Sequence, residues 1–519
     1  YLESLMIREL GNLYRVDAEM SVFQTGSTET LNLQLDVVGY IVGESKPYKA
    51  DIIAFRPLAI GEYLYMEYYN YRVLAMVSTS ITGSSVITDS LIDPRDIERL
   101  IKTIRYGERI YYYRGTIKIL GSIDGSNSKL YMPPIPPPPG TEVYKAPKSV
   151  LARVFSPGGR EFVRVGTLLR ELDVEVRVNI NKIVSKHLGV LAMTGMGKSN
   201  LVALIAKKIA ELGGTIVIFD YHGEYSSMKL VDTIVNVIRP KINPLSLDLE
   251  EMSRLLNIPK NATRQRMALR ECLENTDDGE FFAKLRKCLQ SRIGRYGVSA
   301  QKVLDAVMAY EGFLKKIVDE KMEDVINSII LGAINIVDLS DLHLNQADAI
   351  VSHWLNRILE ARKICVWSRG SHGIPSPLAL VIEEAHVFIS ADSDTATRRS
   401  AESIVREGRK FGIGLVIVSQ RPRGLDPTIL SQLGNLAILR IVHPEDQQYV
   451  AKHCEPITQD IVEELPGLNI GEAILLGEWV SVPTIVKIDL VKEKLSGGDI
   501  DAVSHWSKIY STRTGNLDM

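Results

Sequence analysis

Charge of one sign, clustered cysteine and long apolar runs are all missing from this sequence. Its 61 basic and 63 acidic residues leave a formal net charge of −2 over 519 residues. With so little overall field, any surface for a polyanion has to be a local groove or pore. The four cysteines, Cys272, Cys288, Cys365 and Cys454, lie far apart without a CxxC pair. That spacing argues against a zinc site and against a disulfide framework, and predicts reduced, mostly buried thiols. No apolar run reaches the roughly 18 residues of a membrane span. The opening YLESLMIREL has no basic stretch followed by an apolar one. These absences predict a soluble, cytoplasmic protein with no membrane partner. The length exceeds one ordinary hydrophobic core, so at least two domains are expected.

What is present changes character along the chain. Up to about residue 130, short β-branched and tyrosine-rich runs such as LQLDVVGYIVG, YLYMEYYNYRVLAMV and RGTIKILGSI alternate with Gly, Asn and Ser turns. They predict a small all-β barrel. The proline segment 133–139 must be extended, because prolines fix φ and offer no N–H donor, and it reads as a stiff connector. VLARVF and FVRVGTLL then read as further strands, so residues 1–180 are assigned to the barrel. From Leu188 apolar strand runs alternate with helices, which predicts a parallel sheet with crossover helices over 181–243 and 331–490. Residues 244–330 are polar and helical, an insertion into that sheet. Residues 491–519 read as an extended tail.

The chemistry-bearing residues sit in the second region. In Ala192-Met193-Thr194-Gly195-Met196-Gly197-Lys198-Ser199 an apolar strand runs through a glycine turn directly into an amphipathic helix. Gly195 and Gly197 let backbone N–H groups converge, and the helix N-terminus adds its dipole at the same point. Lys198 is expected on the β- and γ-phosphates of ATP, and the Ser199 hydroxyl on Mg²⁺. Thr194 through Asn200 form the candidate nucleotide-binding set. Ala192 stands where this motif usually has glycine, a change tolerable if φ there is negative. PLALVIEEAH supplies the second half: Leu378 to Ile382 form a buried strand ending in two acids. Glu383 is assigned to the magnesium water shell and Glu384 to polarising the attacking water.

Three more groups are read with this site. GTIVIFD ends in Asp220, with His222 and Glu224 following, at a strand end where ligands bind in open α/β folds. GLVIVS ends in Gln420, placed to sense the γ-phosphate or the attacking water. Arg406, Arg409 and Lys410 lie at a helix end before Gly412. They either complement the helix dipole or reach a neighbouring subunit's site as an arginine finger.

Taken in order, KHLGVLAMTGMGKSN, FDYHGEY, LVIEEAH, REGRKFGIGL and SQRP resemble the HerA family of hexameric ATPases, related to the FtsK DNA pumps. The likeness covers nearly the whole chain. It implies a RecA-like P-loop ATPase core, a homo-hexamer with ATP at each interface, double-stranded DNA in the channel and a NurA-type nuclease as partner in DNA end resection. It also suggests an archaeal origin. By the resemblance, Arg409 is the finger in trans and Gln420 the sensor. Lys186-His187 stands where the family often has Arg-His, and a lysine lacks the planar guanidinium fork. Arg398 and Arg399 are candidate phosphate contacts in the channel, or else a solvated basic helix face. Motors of this group that move single strands or proteins, or serve antiviral defence, are the alternative, as is a ring that scaffolds a nuclease.

Overall fold

The computed structural model describes residues 36–89, 93–103, 110–123, 130–276, 279–491 and 503. Most of the N-terminal 36 residues and of the tail from 492 onward, both given assignments above, lie outside the described residues.

The first sheet is built from β1 (Val37–Lys46), β2 (Lys49–Ala54), β3 (Tyr63–Tyr68), β4 (Tyr71–Ser84), β5 (Tyr111–Ile123), β6 (Leu130–Tyr131) and β7 (Glu142–Lys145). Its order is β2-β1-β7-β3-β4-β5-β6, and an added pairing of β2 with β5 closes the first six of these into a barrel. Alternation drives closure: along β2 every second residue is buried, and Ile52, Leu64, Val73, Ile117 and Val143 fill the interior at 0% exposure. The proline segment is more than a spacer. It passes from β6 to β7 with Pro133 and Pro137 buried, and its carbonyls accept hydrogen bonds from Ser45 and, at 3.0 Å, from Tyr68. Carbonyls are the hydrogen-bonding groups that a proline run retains.

Two of the strands expected in the barrel fall elsewhere. VLARVF lies in a helix, Lys148–Phe155, entered from Pro147. Its buried residues Leu151, Val154 and Phe155 follow i, i+3, i+4 spacing, a helical period mistaken for a β-branched run. FVRVGTLL is a strand, β8 (Phe162–Leu168), but it pairs with β9 (Glu171–Asn179) and β18 (Thr484–Ile488) in the second sheet. Alternation identifies a half-buried strand without saying whose edge it joins.

That second sheet adds β10 (Leu188–Leu191), β11 (Thr215–Asp220), β12 (Val235–Ile238), β13 (Ile334–Asp338), β14 (Leu378–Ile382), β15 (Ile413–Ser419), β16 (Asn435–Ile438) and β17 (Glu472–Gly477). The order is β12-β13-β11-β14-β15-β10-β16-β17-β18-β8-β9. Strands β12 to β16 in this order are mutually parallel, and the remainder antiparallel. The parallel strands are continuous apolar runs because helices cover both faces. This is a RecA-like P-loop core, with β15 between the strand that leads into the glycine turn and the strand that ends in the two acids.

The helical insertion leaves the sheet after β12 and returns before β13, pinched by a bridge between Ile242 and Val318. Its helices Leu249–Leu255, Thr263–Glu274, Phe281–Tyr296 and Val298–Leu314 pack Leu269, Phe281, Leu285, Leu289 and Val303 into the main core. Contrary to the expectation of reduced thiols throughout, Cys272 and Cys288 form a disulfide, with Cα atoms 5.6 Å apart. The helices that carry them fold back on each other, so a separation of 16 residues becomes a contact. Cys365 and Cys454 are free and buried.

Candidate active site

The glycine turn after β10 adopts the geometry its residues were read for. Gly195 and Gly197 have φ of 78° and 104°, left-handed values that other residues rarely hold. Gly197 caps the helix Lys198–Glu211 without any side-chain cap, so the first-turn N–H groups are left for a ligand. Ala192 is buried, is not among the residues with positive φ, and donates its N–H to Ser419 O at 3.2 Å. The missing glycine therefore costs nothing at that position. The turn is also braced from behind: Gly471 N–H reaches Met196 O at 3.1 Å, and a Cβ on Gly197 would lie 3.7 Å from the Gly471 backbone.

The neighbouring strand ends converge on this turn. Thr194 donates its hydroxyl to Gln420 Oε1, which brings the end of β15 onto the loop. Ser199 donates to Glu224 Oε2. Glu383 and Glu384 follow β14, and Glu384 takes a left-handed φ of 47°. That turn breaks the strand alternation between two adjacent acids, at a cost of order 1 kcal/mol for a non-glycine residue. Glu383, 5% exposed, accepts the Tyr225 hydroxyl at 2.6 Å and the Glu384 N–H at 3.0 Å. Burial raises its carboxyl to about 7, with Glu224 and Glu384 adding repulsion and the two donors opposing. Glu384 goes the other way. Burial pushes its carboxyl up, but His386 beside it and the charges of Lys198 and His222 hold it below the ordinary value. One acid is thus poised near neutrality and the other kept ionised, the separation that assigns different roles to a carboxylate pair.

Several residues predicted at the site do other work. Asp220 is 0% exposed, and its carboxylate accepts the N–H groups of Glu224, Tyr225 and Ser226, so it shapes the loop. Asn200 is spent on the chain end of the core: it donates to Asp489 O at 3.0 Å and accepts the Val491 N–H at 2.9 Å. Arg398 pairs with Asp426 at 3.0 Å and Arg399 with Glu250 at 3.2 Å, so both candidate channel cations have partners within the chain. His187 is buried with Nδ1 accepting the Leu415 N–H at 3.0 Å, which leaves Nε2 to donate to Val405 O. Burial holds its pKa at about 4, so it is a neutral strut.

Lys186, Arg406 and Arg409 line one cleft with Gln432, Glu455 and Glu478. Lys186 precedes β10 and Arg409 precedes β15, so the cleft lies at the amino edge of the parallel strands. Gln420 and the glycine turn lie at the carboxyl edge. At a rise of about 3.3 Å per residue, β15 alone separates the two by roughly 20 Å, beyond the reach of any arginine. Arg409 does not enter its own chain's site.

The donor set fits a magnesium nucleotide. First-turn N–H groups and the buried Lys198 lie with the Ser199 hydroxyl and the carboxylates of Glu224, Glu383 and Glu384 at the carboxyl edge of the parallel strands. Glu384 Oε2 is buried without a hydrogen bond, although His386 Nδ1 is 3.2 Å away. Sequence reasoning gave no role to Tyr225, His386 or Gly471. The first two lie inside the FDYHGEY and LVIEEAH segments, and that position was the available signal. Gly471 gave none, being remote in sequence.

Comparison with known proteins follows the same lines. The family description "Helicase HerA, central domain" matches residues 163–358, and "Helicase HerA-like C-terminal" matches 331–504. The chain is 39% identical over 490 residues to the DNA double-strand break repair helicase HerA of Sulfolobus acidocaldarius, covering 91% of this chain and 97% of that protein. It is 36% identical over 494 residues to the protein of the same name from Saccharolobus solfataricus, covering 91% and 96%. Among solved structures it resembles VirB4 of Thermoanaerobacter pseudethanolicus, with a TM-score of 0.50 and 15% identity, covering 64% of this chain and 98% of that one. This last likeness concerns the fold.

Proposed function

This chain belongs to the HerA helicase family, and from that premise and the site geometry we propose that it is an ATP-driven translocase on double-stranded DNA, acting as a homo-hexamer in double-strand break repair. Its partner on this reading is a NurA-type nuclease that resects the DNA end. The observation that carries the proposal is the split between the two sheet edges. The carboxyl edge holds a phosphate loop and its acids, while Arg409, the finger candidate, stands roughly 20 Å away and is usable only by another copy.

ATP with magnesium, when bound, supplies the scissile phosphoryl group and the neutralising charge. The N–H groups of Gly195 to Ser199 and the Lys198 ammonium hold the phosphates. Ser199 and Glu383 would hold the metal and its water shell. The Glu384 carboxylate polarises the attacking water and takes up its proton. Gln420, hydrogen-bonded to Thr194, senses the γ-phosphate end of the loop. The finger of the adjacent subunit completes the charge. DNA is held through backbone phosphates, independent of sequence and sensitive to salt.

The test is ATP turnover by the wild type and by Glu384→Gln, each with and without linear duplex DNA. The proposal expects DNA to raise wild-type turnover, and the variant to bind ATP without hydrolysing it. Turnover indifferent to DNA, with and without the nuclease, would shift the cargo to protein or single strands.

A further inference from the structure

The loop that follows β11 touches both halves of the site at once. Asp220 folds it, accepting the N–H groups of Glu224 at 3.0 Å, Tyr225 at 2.8 Å and Ser226 at 3.2 Å, together with the Ser226 hydroxyl at 3.2 Å. From that pinned backbone, consecutive side chains leave for opposite halves of the site. Glu224 accepts the hydroxyl of Ser199 on the phosphate loop. Tyr225, 0% exposed, donates to Glu383 Oε1 at 2.6 Å.

A phenylalanine would fill the same volume at Tyr225, so packing does not call for the hydroxyl. Glu383, in turn, is a buried acid that receives one other hydrogen bond among the described residues, from the N–H of Glu384. That second donor sits on its Oε2, so the phenol is what fixes Oε1 and with it the carboxylate plane. A carboxylate that organises a metal's water shell works by orientation, and partners that orient metal-binding groups contribute 10- to 100-fold in affinity or activity, as an order of magnitude.

We propose that Tyr225 is a positioning residue that orients Glu383 for magnesium, with Asp220 setting the loop from which it acts. The inference deepens the reading of Glu383 given above and rests on it. The Tyr225 hydroxyl is buried against Glu383. Its effect passes through Glu383 and is confined to magnesium-dependent steps.

The experiment uses the full chain and its Tyr225→Phe, Glu383→Gln and doubly substituted variants. A fluorescent ADP analogue is titrated in EDTA and again in saturating MgCl₂, and ATP turnover is followed against MgCl₂ concentration. Thermal melting checks that each variant is folded. The expected result for Tyr225→Phe is unchanged affinity in EDTA, a reduced gain in affinity on adding magnesium, and a magnesium half-saturation for turnover raised about tenfold. In the Glu383→Gln background, Tyr225→Phe should add nothing, since residues acting through one group are non-additive. An unchanged magnesium response in a folded Tyr225→Phe protein overturns the inference while leaving the site assignment standing. So does an equal effect of Tyr225→Phe in both backgrounds, which would make the hydroxyl a fold contact. If the wild type itself binds the analogue equally with and without magnesium, the assignment of Glu383 falls and this inference falls with it.

Discussion

The two edges of the parallel sheet carry opposite kinds of polar chemistry. At the carboxyl edge almost every functional group is already engaged: Ser199 with Glu224, Thr194 with Gln420, Glu383 with Tyr225 and Asp220 with its loop. At the amino edge Arg406 and Arg409 stand in an open cleft, Arg406 reaching Glu402 only at 3.9 Å, while Lys186 beside them is paired with Glu478. A preorganised half-site has its side chains locked by their own neighbours. A half-site meant for a neighbour has to leave its cations uncommitted until assembly. On the proposed reading, the contrast would let one chain fold with both parts of a catalytic centre and yet be unable to join them.

Removing the amino-edge cation tests this contrast most severely. Arg409→Ala should lower ATP turnover by roughly 10³ to 10⁵, with nucleotide affinity in the isolated chain little changed. Loss of binding with turnover per bound nucleotide unchanged would mean Arg409 serves its own subunit's fold instead. Glu384→Gln, at the other edge, should lower turnover by roughly 10² to 10⁴ while ATP still binds. Mixing these two inactive proteins sharpens the point. In randomly mixed rings about a quarter of the interfaces join an intact carboxyl edge to an intact amino edge, so turnover should partly return. No recovery on mixing would show that both residues act within one chain.

A third intervention touches neither edge. The disulfide between Cys272 and Cys288 closes a loop within the helical insertion, and a loop of that length is worth about 3 kcal/mol in the chain-entropy account. Cys288→Ser, or reduction of the wild type, should therefore lower the thermal midpoint measurably while leaving turnover per folded molecule unchanged. A fall in turnover below the melting transition would tie the insertion to the site and weaken the two-edge description.

What the sequence made legible follows from how local each feature is. The phosphate loop was readable because strand, glycine turn and helix are contiguous, and its geometry is set by φ values that Gly195 and Gly197 alone supply cheaply. The acids after β14 were readable for the same reason. The side-chain partners of Asn200, Asp489 and Val491, could not be read locally because they are nearly 300 residues away in sequence. Asp220 was placed at the right strand end, but nothing local said that its oxygens would accept N–H groups of the following loop. The hairpin of β8 and β9 was assigned to the barrel because alternation is the same whichever sheet supplies the edge. The disulfide was hidden by a helix-to-helix contact that no CxxC spacing announces. In each case the missing information was a tertiary partner.

The smallest expected effect tests whether the amino edge is as loosely held as it looks. Glu478 lies between Lys182 and Lys186, at 2.8 and 2.7 Å, and their ammonium groups hold its carboxyl down to about 2. A depressed folded-state pKa contributes stability that is present above the ordinary carboxylate value and is lost as pH falls toward about 2. The three side chains are 33% to 46% exposed, so solvent screening limits the contribution to under about 1 kcal/mol. Glu478→Gln should accordingly shift the chemical-denaturation midpoint slightly at pH 7 and by less as the pH is lowered toward about 2. It should also free Lys186 in the same cleft as Arg409. If the variant raises turnover, Lys186 is a second cation that the cleft holds in reserve. If turnover is unchanged, the ion pair is a strut and Arg409 carries the amino edge without it.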